Sequence, residues 1–347
     1  MRRVLWLLLA LLALSACRAA DRQPVASGAA SPLELATPVG SVAPVAGATV
    51  AFVPDAAGIN DYGLNALALA GLRAQAQQLG LAPPGVASDA EVAAGQVRLV
   101  VGQGAGLADG FVAAAKAHPD VSFALIGAPA GETPPNLTRV AFDLAGGARQ
   151  AGRLAASVSH SHTLGFVGGK ETAEAHALLD AYMAGSAGAG GAASAGGAAS
   201  AGGAVSAGGA GGSGAAGAVV LQGFAGSDDD QAAAKRIAQD QIGRGADVIF
   251  AASLPAGFGA IAAASQLRVL AIGIQRDQYD VAPNAVVSSV VEKTDIRAAR
   301  LLQEFAKGQL SGGSRTVGVE DGAVGLAPVR LPEGWKAERQ DSSLRSE

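Results

Sequence analysis

Between Thr49 and Leu326 short apolar runs, many of them β-branched, recur, each followed by small or polar residues and then by a stretch with helical spacing. A strand covered on both faces reads as an unbroken apolar run, so this rhythm predicts parallel sheets flanked by helices. Strands are predicted at Thr49 to Val53, Val97 to Val101, Val121 to Ile126, Val140 to Phe142, Thr163 to Val167, Val219 to Gln222, Ala246 to Ala251, Arg268 to Ile274 and Val286 to Val290. Helices are predicted at Leu64 to Leu79, Leu107 to Ala117, Gly147 to Ala156, Ala173 to Met183, Gln231 to Ile242, Phe258 to Ser265 and Ile296 to Phe305. The alternation occurs once before the interval 143–152 and once after it, which predicts two similar α/β lobes. Short strands at Thr316 to Val319 and Val324 to Leu326 close the folded part.

Open parallel sheets bind ligands where loops leave the carboxyl ends of strands and helix amino termini offer unpaired N–H groups. The first such edge is ATVAFVPDAAGINDYGLN, from Ala48 to Asn65. Pro54 ends the strand, and Ala56, Ala57 and Gly58 allow a tight turn. Asp55, Asn60, Asp61 and Asn65 are candidate polar ligands; turn formation and helix capping account for the same residues equally. Gly102, Phe224, Ser253 and Asp277 stand at other strand ends, in both halves of the chain, and converge with Asp55 on an interlobe cleft. Lys293, between a strand and a helix, suits a ligand hydroxyl or a neighbouring carboxylate, and suits a helix-flanking surface pair as well.

The chain opens with Arg2 and Arg3, an apolar run from Val4 to Leu14, and Leu-Ser-Ala-Cys ending at Cys17. The run is too short for an ordinary membrane span and reads as a processing segment over residues 1–16. Cys17 is the one cysteine, which excludes an intramolecular disulfide. Residues 17–45 are rich in Ala, Pro and Ser and read as a flexible tether. Residues 184–217 consist of Gly, Ala and Ser apart from Val205, lack a glycine at every third position, and are predicted to be a flexible insertion within the second lobe. Residues 333–347 form a polar tail.

With a net charge of -4 and no basic patch, nothing calls for a nucleic-acid partner. The loop at Gly102, Gln103 and Gly104 departs from the dinucleotide-binding glycine spacing and reads as a place where backbone approaches a ligand. Asp228, Asp229 and Asp230 precede a helix and are read as holding its cap, with cation binding the less favoured use. His160-Ser161-His162 lacks a third metal ligand and reads as a turn. No nucleophile and base stand in a recognisable pattern, so no catalytic residue, metal or cofactor is expected.

The motifs resemble those of the basic membrane lipoprotein family of substrate-binding proteins, including the purine nucleoside receptor A type. Leu-Ser-Ala-Cys is similar to its lipobox, and Asp55 to Asn65, DAAGINDYGLN, is similar to its opening D-x-G-G-I-x-D-x-S-F-N motif. GFVGG at Gly165 to Gly169, GADVIF at Gly245 to Phe250, IGIQRDQ at Ile272 to Gln278 and the S-x-x-K-like match ending at Lys293 continue the resemblance over 46–329. It implies a periplasmic-binding-protein type I fold: two Rossmann-like lobes, 46–143 with 291–312 and 144–290 with 313–332, around a ligand cleft. It implies a monomeric receptor, lipid-anchored through Cys17 to the extracytoplasmic face of a bacterial membrane, which hands a nucleoside-like ligand to an ABC permease. Asp55, Asn65, Phe224 and Lys293 match the family's binding positions. Leu64 stands where the family has phenylalanine, and Gln275 where it has the first aspartate of the IGVDxDQ segment. The alternatives are a sensory or accessory lipoprotein without transport and, less favoured, an α/β nucleoside hydrolase.

Overall fold

The computed structural model describes residues 49–60, 63–95, 97–188, 204–205 and 218–335. The processing segment, Cys17, the tether, Asp61, most of the insertion and the tail after Trp335 lie outside the described residues.

The first sheet contains β1 (Val50–Val53), β2 (Gly85–Val86), β3 (Leu99–Gln103), β4 (Ser122–Ile126), β5 (Leu137–Phe142) and β12 (Gly313–Val317), ordered β12-β5-β4-β3-β1-β2. All its pairings are parallel. Its helices are α1 (Leu64–Gln78), α2 (Ala90–Ala94) and α3 (Ala108–Ala117), joined by α8 (Thr294–Ala306), which returns from later in the chain. The second sheet runs β13-β11-β10-β9-β6-β8-β7 and contains β6 (Thr163–Gly168), β7 (Ala204–Val205), β8 (Val219–Phe224), β9 (Val248–Ala251), β10 (Leu270–Gln275), β11 (Val286–Glu292) and β13 (Val324–Leu326). Its two end strands, β7 and β13, pair antiparallel and the rest parallel. Helices α4 (Ala145–Val158), α5 (Ala173–Ser186), α6 (Gln231–Gly243) and α7 (Gly257–Leu267) flank it.

Each sheet separates two apolar clusters, one per face, as its two-sided burial requires. Aromatic residues are only 4% of the chain, so close approach of small residues replaces bulk. A Cβ on Gly152 would strike the Tyr182 carbonyl and one on Gly185 the Arg149 carbonyl, which lets α4 and α5 touch backbone to backbone. Gly71 does the same for α1 against Asp295 in α8. The few aromatics cluster, with Phe166 meeting Phe250 and Phe224 edge-on at 5.8 Å. Arg297 and Arg315 both bind Glu304, at 3.0 and 2.6 Å, and tie α8 to β12 in the first lobe.

The chain crosses between lobes three times: from β5 to α4, from β11 to α8 and from β12 to β13. Backbone bonds lace the crossings together, Asp143 N–H donating to the Val317 carbonyl and Lys293 N–H to that of Ala323, both at 2.8 Å. Phe142, at the first crossing, packs against apolar clusters of both lobes. The last crossing comes later than the boundary at 313 implies. β12 extends the first sheet beside β5, and the chain changes lobe only after Val317.

Several predicted boundaries also move, among them those of β3, β5, β12 and the insertion. The strand predicted at Val97 to Val101 is Leu99–Gln103, because its pairing with β4 continues through Gln103 opposite Ile126. The insertion predicted to start at Ala184 starts later, since α5 runs to Ser186 with Gly185 packed on α4. Within that segment Ala204–Val205 pairs with Val220 and Leu221 of β8.

Candidate ligand-binding site

The β1–α1 turn is built from its own side chains. Asp55 Oδ1 accepts from Asn65 Nδ2 at 2.7 Å and from Ala57 N–H at 2.9 Å, while Asp55 N–H donates to Asn65 Oδ1 at 3.2 Å. Asn65 is buried, so both ends of its amide are used inside the protein. Gly104 turns the chain after β3 with φ +110°, and a Cβ there would stand 2.9 Å from Asp55 Oδ2. Asp55 is thereby fixed at the junction of two strand ends.

A cavity of about 490 Å³ opens beside it. The first lobe lines it with Asp55, Leu64, Gln103, Gly104 and Phe142, and the second with Glu174, Gln275 and Glu292. Of the sequence-predicted residues, the structure therefore brings Asp55, Leu64 and Gln275 together. Gln275 ends β10 with φ 69°, a left-handed backbone that turns the chain away from the sheet.

The other candidates lie elsewhere. Asn65 acts behind Asp55, and Asn60 is exposed on the turn. Gly102 faces inward, where a Cβ would strike the Phe111 ring; it makes room in the core and does not line the cavity. Phe224 is packed on Phe166, with the His176 ring 5.0 Å away. The Ser253 hydroxyl is enclosed beside Asp228 over Gly169, with no hydrogen-bond partner among the described residues. Asp277 accepts from Tyr279 N–H and pairs with Arg330 at 2.9 Å. Lys293 carries its ammonium toward Gly325, 4.0 Å from where a Cβ would stand. Asp230 caps α6 by accepting from Ala233 N–H at 2.8 Å. Among the described residues no group of His, Cys, Asp and Glu has the arrangement of a metal site.

Three polar side chains of the cavity were not singled out as ligands in the sequence reading, and neither was Phe142. Gln103 is 2% exposed, and its Oε1 has no hydrogen-bond partner among the described residues. Glu292 ends β11 with 7% exposure, and its carboxyl makes no hydrogen bond or ion pair with a described residue. Burial pushes it from the ordinary 4.5 up to about 7. Glu174, in the first turn of α5, is exposed and held below its ordinary value by its own backbone N–H and then by the Thr172 hydroxyl. The available signal for Glu292 was a single acid at the end of the valine-rich strand VVSSVV.

Comparison with known proteins agrees with this architecture. Basic membrane protein D of Borreliella burgdorferi is 26% identical over 238 residues, 67% of this chain and 62% of that protein. Basic membrane protein A2 of Borrelia garinii is also 26% identical, over 66% of this chain and 62% of its own length. The chain thus spans under two thirds of these relatives. Among solved structures, an ABC transporter solute-binding protein from Conexibacter woesei superposes with a TM-score of 0.60 at 19% identity, covering 81% of this chain and 88% of that one. A transcriptional activator of the comK gene from Bacillus halodurans gives 0.63 at 19% identity, over 82% and 91%. At such identity these likenesses speak for the fold alone, two lobes of the type I periplasmic-binding-protein kind. The sequence model of the ABC transporter substrate-binding protein PnrA-like family matches residues 49–193 and 217–347, and the chain belongs to that family.

Proposed function

We propose that this protein is the receptor of an ABC importer, taking up a nucleoside-like polar solute between its lobes and presenting the closed form to a permease. The observation that carries this reading is the cavity itself, which draws Asp55, Leu64 and Phe142 from one lobe and Glu174, Gln275 and Glu292 from the other. A ligand touching both walls favours the closed arrangement by its differential affinity for it. Its volume, about 490 Å³, falls within the range of small-molecule sites. Leu64 and Phe142 supply apolar surface for a ring, and the carboxyls and amides supply polar recognition.

Among the described residues no helix is long and apolar enough to cross a membrane. The sequence around Cys17 supports attachment through lipid on that cysteine, where two or more acyl chains anchor stably. In this reading the receptor works as a monomer on the extracytoplasmic face.

The test is thermal stabilisation of the purified full chain by nucleosides, free bases, sugars and amino acids, followed by calorimetry. A true ligand raises apparent stability as RT ln(1 + [L]/Kd), so the shift grows with concentration. Nucleoside binding supports the reading. Binding of only sugars or amino acids discards the nucleoside-like ligand and keeps the receptor.

A further inference from the structure

The charged side chains lining the interlobe cavity are all carboxyls. Asp55, Glu174 and Glu292 face it, and no lysine, arginine or histidine does so among the described residues. Lys293 follows Glu292 in sequence, yet its ammonium extends along β13 toward Gly325. Arg149 and Arg153, on the helix packed against β11, are exposed.

An acidic lining alone would not define a ligand. The second observation is Gln103, nine-tenths buried and lining the same cavity, whose carbonyl oxygen lacks a hydrogen-bond partner among the described residues. A buried acceptor left without a donor is unfavourable, and a donor brought by a ligand removes that cost. Glu292 repeats the pattern on the opposite lobe: an enclosed acid at a strand end with nothing from the described chain bound to it. Asp55 adds Oδ2, since the hydrogen bonds from Asn65 and Ala57 both go to Oδ1.

We propose that the cavity selects a positively charged ligand, its cationic group held between Asp55 and Glu292 and a donor hydrogen directed to Gln103 Oε1. The inference rests on the receptor reading and specifies its substrate class: an amine-bearing or otherwise cationic solute of nucleoside size. A buried carboxyl that is costly to ionise in the empty cavity ionises readily once a cation sits beside it. Anionic solutes meet like charges on both walls and are excluded.

The experiment compares three probes on one nucleoside scaffold by calorimetry on the purified full chain: adenosine, the near-isosteric 5′-amino-5′-deoxyadenosine, which carries an ammonium, and the larger, anionic adenosine 5′-monophosphate. Agmatine, a cation without a nucleoside scaffold, is the fourth. The aminonucleoside is expected to bind at least about tenfold more tightly than adenosine, as expected for one partly buried charge pair, with the monophosphate weakest. Glu292→Gln is expected to remove most of that advantage, bringing the ratio of aminonucleoside to adenosine affinity down toward one; a ratio unchanged from the parent overturns the assignment of the charge contact to Glu292. Adenosine binding as well as or better than the aminonucleoside overturns the charge inference and keeps the receptor reading. Agmatine binding alone keeps the charge inference and discards the nucleoside scaffold. Binding by none of the four overturns the charge inference and the nucleoside-like ligand together, while a sugar or amino-acid hit in the thermal screen still keeps the receptor.

Discussion

Asn65 donates from Nδ2 to Asp55 Oδ1 at 2.7 Å and accepts the Asp55 backbone N–H at 3.2 Å, so the last turn before α1 is closed by a reciprocal pair ten residues apart. The pair does two jobs at once. It satisfies a buried amide, and it holds Asp55 through Oδ1 in one orientation, with Oδ2 left beside Gly104 and taking neither bond. Asn65→Ala removes both bonds and is expected to cost about 1–3 kcal/mol in urea unfolding and to weaken ligand binding through loss of Asp55 orientation. Asn65→Asp places two carboxylates in contact and is expected to cost more. If both variants bind ligand as the parent does, Asp55 is not a ligand group.

Both residues were singled out in the sequence, as candidate ligands or turn formers, because a strand end, a small-residue turn and a helix start fall in one short stretch; that Asn65 binds Asp55 and does not line the cavity was not read there. Gln103 and Glu292 were not, because strand ends in a parallel sheet are set by distant partners. β3 stays extended through Gln103 because Ile126 pairs with it, and β11 reaches Glu292 because Val324, some thirty residues later, pairs antiparallel there. A shift of two residues in the predicted end of β3 drew attention to Gly102, which belongs to the core, and away from the amide that lines the cavity. Asp277 and Lys293 were read from their places at strand ends as well as from the resemblance, and their contacts with β13 and its extension depend on a crossing that the sequence pattern does not display.

Gly104→Ala tests the second wall of the Asp55 niche. The residue has φ +110°, and an added methyl group would stand 2.9 Å from Asp55 Oδ2. A loss of about 1–2 kcal/mol in stability is expected from the backbone alone, together with weaker binding. Gly106→Ala is the control, because nothing lies within 4 Å of its Cβ position. It is expected to leave calorimetric affinity unchanged; equal effects of the two variants would detach the binding loss from the Asp55 contact.

Glu292 gives stability a pH dependence of definite sign. Its carboxyl is raised from 4.5 to about 7 in the folded chain, so between those values the native state holds a proton that the unfolded state has released. The contribution is full below pH 4.5, falls as pH rises through that window and is gone above about 7. Its amplitude is about 3 kcal/mol, since each pKa unit corresponds to about 1.4 kcal/mol. Glu292→Gln is expected to lose this segment of the pH profile and to exceed the parent in stability at pH 8 without ligand. Parallel profiles for parent and variant from pH 4.5 to 8 would mean that the carboxyl is solvated.

Asp277 separates an inherited role from an observed one. It holds Arg330, which also stands 4.6 Å over the Tyr279 ring, and so fastens the segment after β13 to the end of β10. Both charges are partly exposed, so Asp277→Ala is expected to cost under about 1 kcal/mol. Ligand affinity is expected to stay within about twofold of the parent. A tenfold loss of affinity would instead place Asp277 against the ligand in the closed form.

The Gly/Ala/Ser segment follows from the β6–α5–β8 unit that carries it. Because β6 and β8 pair in parallel, the chain needs a crossover helix and then a connection that in comparable units takes about 2–6 residues. Helix α5 already supplies the crossover, and the cavity lies at the carboxyl ends of the strands, whereas the segment returns at the amino end of β8. Replacing residues 189–217 with about six Gly and Ser residues is expected to leave ligand affinity within about twofold of the parent. The cut must spare Gly185 and Ser186: the first touches the Arg149 carbonyl, and the second donates from Oγ to the Met183 carbonyl at 2.9 Å. A parallel replacement beginning at Ala184 removes that helical turn and is expected to lower the unfolding temperature well below that of the 189–217 variant. Equal stability of the two would show that the α4–α5 contact ends before Gly185, and loss of binding in the shorter deletion would tie the segment to the cavity.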